Sequence, residues 1–266
     1  MSDNPVTVKS LLEMRSAGHK LSCLTCYDAS FARLLESAGV EVLLVGDSLG
    51  MVVQGQESTL PVTLDEMIYH TRNVARGRRR ALILADMPFM SYRSPALALE
   101  SAGRLMKEGG AHMVKLEGGA SQLETVRQLT ALGIPVCGHL GLLPQSVHKL
   151  GGYRVQGRDS DSAAKIRQDA IDLERAGVDL LVLECVPSTL AAEITQQLNI
   201  PVIGIGAGPA TDGQVLVLYD ILGMHDDPPR FVQNFLLQGG SIQQALRVFV
   251  QAVRDGSFPA PEQSYR

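Results

Sequence analysis

Eight short, mostly uncharged apolar runs recur along the chain, separated by amphipathic stretches of helical length. They cover residues 21–25, 42–46, 81–85, 112–117, 134–139, 180–184, 201–205 and 214–219. Such runs, rich in Val, Ile and Leu, read as strands covered on both faces of a parallel sheet. The intervening helices are predicted at 30–38, 63–76, 95–108, 121–132, 162–176 and 188–198, with a last one at 241–253. Ser30 is the expected N-cap of the first, and Thr63-Leu-Asp-Glu66 has the spacing of a capping box. Gly39, Gly109-Gly110, Gly133 and Gly177 stop four helices just before the next strand. Eight strands alternating with helices predict a single (β/α)8 TIM barrel spanning residues 1–266; a doubly wound open sheet is the other arrangement with this rhythm.

Four of the runs end on an acid: Asp47, Asp86, Glu117 and Glu184. At the C-terminal ends of barrel strands these carboxylates converge on the catalytic face, and a cluster of them is costly unless a cation or a proton balances it. Asp47, Asp86 and Glu117 follow consecutive strands, so all three can reach one ion. Their oxygen ligands favour a hard cation such as Mg2+. Lys115 lies two residues before Glu117 and shares its side of the strand. It can pair with a substrate carboxylate or, with a lowered pKa, form a Schiff base; a metal nearby favours the first. Glu184, on the sixth strand, stands apart as a general base or as an acid capping the following helix. His139 ends the fifth strand, either to contact a ligand or to orient the next loop. Gly204-Ile-Gly-Ala-Gly208 is a weak phosphate-turn signal that tight packing explains equally well. Two long connections, 48–61 and 141–161, follow strand ends and are expected to wall or cover the site.

Other features exclude more than they assign. A net charge of −4 argues against a polyanion-binding surface, and the basic run 76–80 reads as a solvated turn. No stretch approaches the ~18 apolar residues of a membrane span, and the first residues carry no secretory pattern. Four cysteines are few for this length and point to a reduced, cytoplasmic protein. Cys23 and Cys26 have the C-x-x-C spacing but no second pair, and their separation sends them to opposite faces of a strand. A keto acid held by a metal through its carbonyl and carboxylate has an acidified neighbouring carbon, so these residues support carbon–carbon chemistry beside a carbonyl.

Several long motifs resemble the ketopantoate hydroxymethyltransferase family. They are 45–55 (Val-Gly-Asp-Ser-Leu-Gly-Met-Val-Val-Gln-Gly), 59–63, Tyr69-His-Thr, 85–90, 114–119, 138–141, Pro144-Gln-Ser, 151–157 and 204–208. They fall in the family's order between about residues 25 and 258; Leu143 departs from it where threonine is expected. The resemblance implies a fold like that of phosphoenolpyruvate mutase and isocitrate lyase. It implies hydroxymethyl transfer from 5,10-methylenetetrahydrofolate to 3-methyl-2-oxobutanoate, giving 2-dehydropantoate on the route to pantothenate. It implies Mg2+ at Asp47, Asp86 and Glu117, keto-acid contacts from Asp47, Ser48, Asp86 and Lys115, and Glu184 as the base. It also implies a cytoplasmic homodecamer acting on small molecules, with no nucleic-acid or membrane partner. A folate-independent lyase or mutase and a catalytically silent metabolite-binding barrel are the competing readings; the intact acids argue against the second. No aromatic cluster marks a folate pocket, the chain being 5% aromatic without tryptophan.

Overall fold

The computed structural model describes residues 4–266. Eight strands close on themselves: β1 (Leu21–Thr25), β2 (Val42–Val45), β3 (Leu82–Asp86), β4 (Met113–Glu117), β5 (Val136–Gly141), β6 (Leu180–Glu184), β7 (Val202–Ile205) and β8 (Gly213–Leu216). Every neighbouring pair is parallel, and β8 pairs with β1, so the open-sheet arrangement is excluded. Helices join consecutive strands around the outside except between β7 and β8, which a short turn connects, as the sequence rhythm predicts.

Period-two alternation divides each strand between two cores. Leu21, Cys23, Val42, Leu44, Leu82, Leu84, Met113, Cys137, Leu180, Val182, Ile203 and Val215 pack together inside the barrel. Their neighbours Leu24, Leu43, Val45, Ile83, Ala85, Val114, Leu116, Leu181 and Leu183 face outward against the helices. Cys23 therefore belongs to the inner core and Cys26 to the outer one, both as free thiols. The C-x-x-C pair is structural.

Several boundaries differ from the expected ones for identifiable reasons. The eighth strand stops at Leu216, because the Leu218 N–H turns to Thr25 Oγ1 at 2.9 Å and starts the helical turn Leu218–Ile221. The helix Ala29–Ala38 is capped by Asp28, not Ser30; the Asp28 carboxylate accepts the N–H groups of Ser30 (2.7 Å) and Phe31 (2.9 Å). The capping box at Thr63 and Glu66 is present as read. The basic run lies at the opposite end of the barrel from the acids, where Glu36 accepts the backbone N–H groups of Arg79 and Arg80.

A further helix, Val8–Ser16, has no counterpart in the sequence reading, since its apolar positions are too few to show a period. It closes the N-terminal end of the barrel. Its Leu11 is buried among the inner-core residues, and Arg15 donates to the carbonyls of Thr195 (3.1 Å) and Asn199 (3.0 Å) and pairs with Asp212 at 3.1 Å. The last long helix, Ile242–Asp255, packs on its own barrel: Phe249 meets Phe235 edge-to-face, with ring centroids 5.4 Å apart. Among the described residues, no helix is long and apolar enough to cross a membrane.

His112, just before β4, accepts the Ile83 N–H at 2.9 Å through Nδ1. Burial, reinforced by the Arg78 guanidinium, pushes its pKa down to about 4. A depressed histidine stabilises the fold above its ordinary pKa of about 6.5, and that contribution is lost as pH falls through about 4. His112→Asn, which keeps an acceptor for Ile83, is expected to flatten the fall in urea midpoint across this window. An unchanged pH profile in the variant would remove His112 as a source of acid lability.

Candidate active site

The site continues the inner alternation by one more step. On β3 the inward series Leu82, Leu84 ends in Asp86; on β4, Met113 is followed by Lys115 and Glu117. On β5 Cys137 leads to His139, and on β6 Leu180 and Val182 lead to Glu184. The lower layers of the barrel are apolar, and the layer at the C-terminal rim is ionisable. Asp86, Lys115, Glu117 and His139 are buried; the Glu184 side chain is 15% exposed, which leaves it open to a ligand.

Asp47 arrives by a different route. β2 ends at Val45, and Gly46 turns the chain so that the Asp47 N–H donates to Asp86 Oδ2 at 3.1 Å. A side chain at residue 46 would come within 2.8 Å of Ser48 Oγ and 3.5 Å of Asp86 Oδ2, so it would crowd the two polar groups of the turn. Ser48 Oγ lies 3.0 Å from the Tyr27 hydroxyl. Burial first, then the charges of Asp86 and Glu117, push the Asp47 carboxyl up to about 8.

Lys115 Nζ lies 3.0 Å from Asp86 Oδ1 and 3.3 Å from His139 Nδ1. Burial pulls its pKa down, but Asp86, Glu117 and Asp47 outweigh that and raise it. Lys115 is therefore held as an ammonium, which fits pairing with an anion and disfavours a Schiff base. His139 stands between two acids, with Nδ1 3.4 Å from Glu117 Oε1 and Nε2 3.2 Å from Glu184 Oε2. The second contact is an ion pair by distance only, since Nε2 has no aligned hydrogen-bond partner. Burial and Lys115 lower the pKa of the imidazole, and the two carboxylates overcome them and raise it. Glu184 is thus not isolated from the other acids: His139 links it to Glu117. Nor does it cap the next helix, Ser188–Gln197, whose N-terminus has no side-chain cap.

Glu184 is also held by its backbone. Its carbonyl accepts the Leu142 N–H at 2.8 Å, and a Cβ on Gly141 would lie 2.1 Å from that oxygen. Gly141 has φ of +92°, so glycine is required there on both counts. Cys185 follows Glu184 with φ of +48°, and Met90 beyond β3 has φ of +66°. Both left-handed non-glycine residues among those described lie at the rim, where such strain accompanies function.

Sequence reasoning missed Gln145. It lies in the long connection after β5, and its amide donates to Asp47 Oδ2 (2.8 Å) and to the Met87 carbonyl (3.0 Å). Its own N–H donates to Glu117 Oε2 at 3.1 Å, and its Oε1 accepts from the Tyr92 hydroxyl. Pro144-Gln-Ser stood out as a motif, but nothing in a loop sequence tells which side chain turns inward. The two long connections do wall the mouth: the Tyr153 hydroxyl meets Met51 Sδ at 3.6 Å. In the Gly204–Gly208 turn a Cβ on Gly204 would meet Thr211 at 2.8 Å and one on Gly208 would meet Ser188 at 2.6 Å, so close packing accounts for these two glycines.

A hard cation fits part of this set. Four acids share one ammonium, Lys115, and one imidazole whose pKa they raise, so the layer holds more acid than base. Asp86 Oδ1 is buried and faces the Lys115 ammonium at 3.0 Å without an aligned hydrogen bond, and the Asp47 N–H donates to Asp86 Oδ2. Glu117 is engaged with His139 and the Gln145 N–H. Among the described residues, no three His, Cys, Asp or Glu side chains are grouped to hold an ion by themselves. The donors that fit are Asp47 and Asp86, with other positions left to water or substrate oxygens.

A closed barrel with carboxylates, an ammonium and an imidazole at its C-terminal rim defines a (β/α)8 enzyme of acid–base chemistry. Residues 5–261 match the ketopantoate hydroxymethyltransferase family, and the chain belongs to it. It is 58% identical over 264 residues to the 3-methyl-2-oxobutanoate hydroxymethyltransferase of Halorhodospira halophila, covering 99% of this chain and 96% of that protein. It is 60% identical over 261 residues to the protein of the same name from Nitrosococcus oceani, covering 98% and 99%. Among solved structures it resembles that of a putative phosphonomutase from Burkholderia cenocepacia J2315, with a TM-score of 0.63 and 15% identity over 82% of this chain and 95% of that one. It also resembles a phosphonopyruvate hydrolase in complex with oxalate and Mg++, with a TM-score of 0.61 and 11% identity over 99% and 93%. At such identities these two likenesses establish the shared fold.

Gln145→Leu keeps the volume and removes the donors to Asp47 and Met87 and the acceptor for Tyr92. Leaving those buried groups unpaired is expected to cost about 1–3 kcal/mol, read as a lower urea midpoint with unchanged m-value. A midpoint equal to the parent's would mean that the Gln145 network does not hold the rim together.

Proposed function

We propose that this chain transfers a hydroxymethyl group from 5,10-methylenetetrahydrofolate to 3-methyl-2-oxobutanoate, forming 2-dehydropantoate. The observation that carries the reading is the rim layer itself: an ammonium and a cation-ready pair of acids face one side, and a partly exposed carboxylate stands one strand beyond His139. Family membership and close relatives named for this reaction support it.

In this reading Lys115 and Ser48 receive the keto-acid carboxylate, beside Asp47 and Asp86. Asp47 and Asp86 would hold Mg2+, with Glu117 bordering it; the ion would polarise the keto oxygen and stabilise the negative charge that develops there. Glu184 takes the proton from the branched carbon, and His139 holds the carboxylate in place. With its pKa raised by the two carboxylates, His139 also offers that base a neighbour able to carry positive charge. The net change is balanced: a carbon–hydrogen bond and the donor's two carbon–nitrogen bonds break, a carbon–carbon bond forms, and water supplies the hydroxyl. The folate leaves as tetrahydrofolate.

The reading extends to a cytoplasmic homodecamer. The four cysteines are buried free thiols, which suits a reducing compartment, and the decamer rests on the family resemblance. A folate-independent lyase on the same fold is separated by one assay: turnover with keto acid and Mg2+ should require methylenetetrahydrofolate.

Two measurements test the assignments. Glu184→Gln is expected to bind Mg2+ and keto acid normally by calorimetry, yet to lose deuterium exchange at the branched carbon; persistent exchange would take the base role from Glu184. Asp47→Ala is expected to abolish Mg2+-dependent keto-acid binding, and normal binding would count against Asp47 as a ligand.

The Asp47 carboxyl, raised to about 8, also sets a pH dependence. A carboxylate raised in the fold stabilises it below its ordinary pKa and ceases to do so as pH rises through about 8. Mg2+ competes with that proton, so its affinity should rise on the order of tenfold from about pH 6.5 to about pH 8, with proton release on binding. A pH-independent affinity would show that Asp47 carries no proton for Mg2+ to displace.

A further inference from the structure

We propose that the cleft beside Glu117, between the β3 connection and the connection after β5, binds the pterin and benzoyl body of the folate donor, with Arg93 and Lys149 at its mouth receiving the carboxylates of the donor's glutamate. The assignment rests on the hydroxymethyl-transfer reading and names the subsite that reading leaves open.

The cleft has a volume of about 490 Å3, within the ordinary range for sites that take a small organic ligand. Its inner end is formed by Glu117 and Gly141. Gly141 pairs in register with Glu184, one strand away, and strands lie about 4.8 Å apart. A ligand seated there presents its inner end to the carbon that Glu184 deprotonates. A second cavity, about 520 Å3, is lined mainly by residues 256–266 and touches none of the ionisable rim residues.

The walls suit a flat, partly aromatic body. Phe89 and Met90 are 44% and 49% exposed, and Leu143 and Leu150 face the same space. Two large apolar side chains left in water beside an active site are surface that a ligand would cover. Met90 is held at φ of +66°, a conformation that costs free energy and places its flexible thioether at the cleft.

The mouth suits an anion. Lys165, the third cation of the cleft, is already paired with Asp169 at 2.6 Å. Arg93 and Lys149 make no ion pair or side-chain hydrogen bond with any described residue, although the chain carries excess negative charge. Two unpaired cations at the opening match the two carboxylates of a single glutamate. No aromatic cluster is needed, because one phenyl ring, one thioether and two leucines supply the apolar walls.

The test uses the full chain saturated with Mg2+ and keto acid. The double variant Arg93→Glu/Lys149→Glu should weaken tetrahydrofolate binding by about tenfold or more, measured by calorimetry. Its keto-acid deuterium exchange should stay within about twofold of the parent, because the charges lie outside the keto-acid site. Tetrahydropterin, which lacks the glutamate, should bind the double variant and the parent equally, and Phe89→Ala should weaken both probes. Unchanged tetrahydrofolate affinity in both variants, or loss of exchange in step with folate binding, would overturn the assignment. A parent chain that exchanges the keto-acid proton but does not bind tetrahydrofolate would instead sink the hydroxymethyl-transfer reading, and this assignment with it.

Discussion

The rim depends on a buried balance of charge. Asp47, Asp86, Glu117 and Glu184 are gathered at one end of a barrel whose lower layers are wholly apolar. Such a cluster persists only if cations, protons or donors offset its self-repulsion. Lys115 supplies a positive charge from inside the layer, His139 an imidazole whose pKa the acids raise, and Gln145 and the Asp47 backbone supply donors. What remains unbalanced lies at Asp47 and Asp86. A proton on Asp47 is one solution to this electrostatic problem, and a hard cation held by the two acids would be another.

That balance is a consequence of strand geometry. Period-two alternation brings Leu84 and Asp86, Met113 and Lys115, Cys137 and His139, and Val182 and Glu184 onto the inner face in successive layers. For this reason the barrel and most of the site were legible in the sequence. An acid that ends an apolar strand has few places to point once the sheet is closed, and three of the four acids follow this rule. Asp47 does not, because β2 has already ended; its position is set by the Gly46 turn and the hydrogen bond to Asp86.

The remainder was not legible because it depends on long-range closure. Gln145 is 98 residues from Asp47, and the hydrogen bond between them exists only once the loop folds over the rim. His139 was visible as a strand-end residue, but its place between Glu117 and Glu184 follows from the register of β4, β5 and β6. The helix Val8–Ser16 carries too weak a pattern to be read, and is stabilised by Leu11 and Arg15 at the closed end of the barrel. In each case the local sequence permits the structure and distant residues select it.

The division of the acids is therefore subtler than metal ligands on one side and a lone base on the other. Glu117 is shared: its Oε2 accepts the Gln145 N–H and its Oε1 faces His139. A change at the metal-side acids can reach Glu184 through Glu117 and the imidazole without a covalent path. In the proposed reading, a cation held by Asp47 and Asp86 would weaken the Lys115–Asp86 pairing and leave the ammonium to an incoming carboxylate. Glu117 and Glu184 together raise the pKa of the imidazole between them. The imidazole thus touches both Glu117 and Glu184, and it ties the two sides of the rim into a single electrostatic layer.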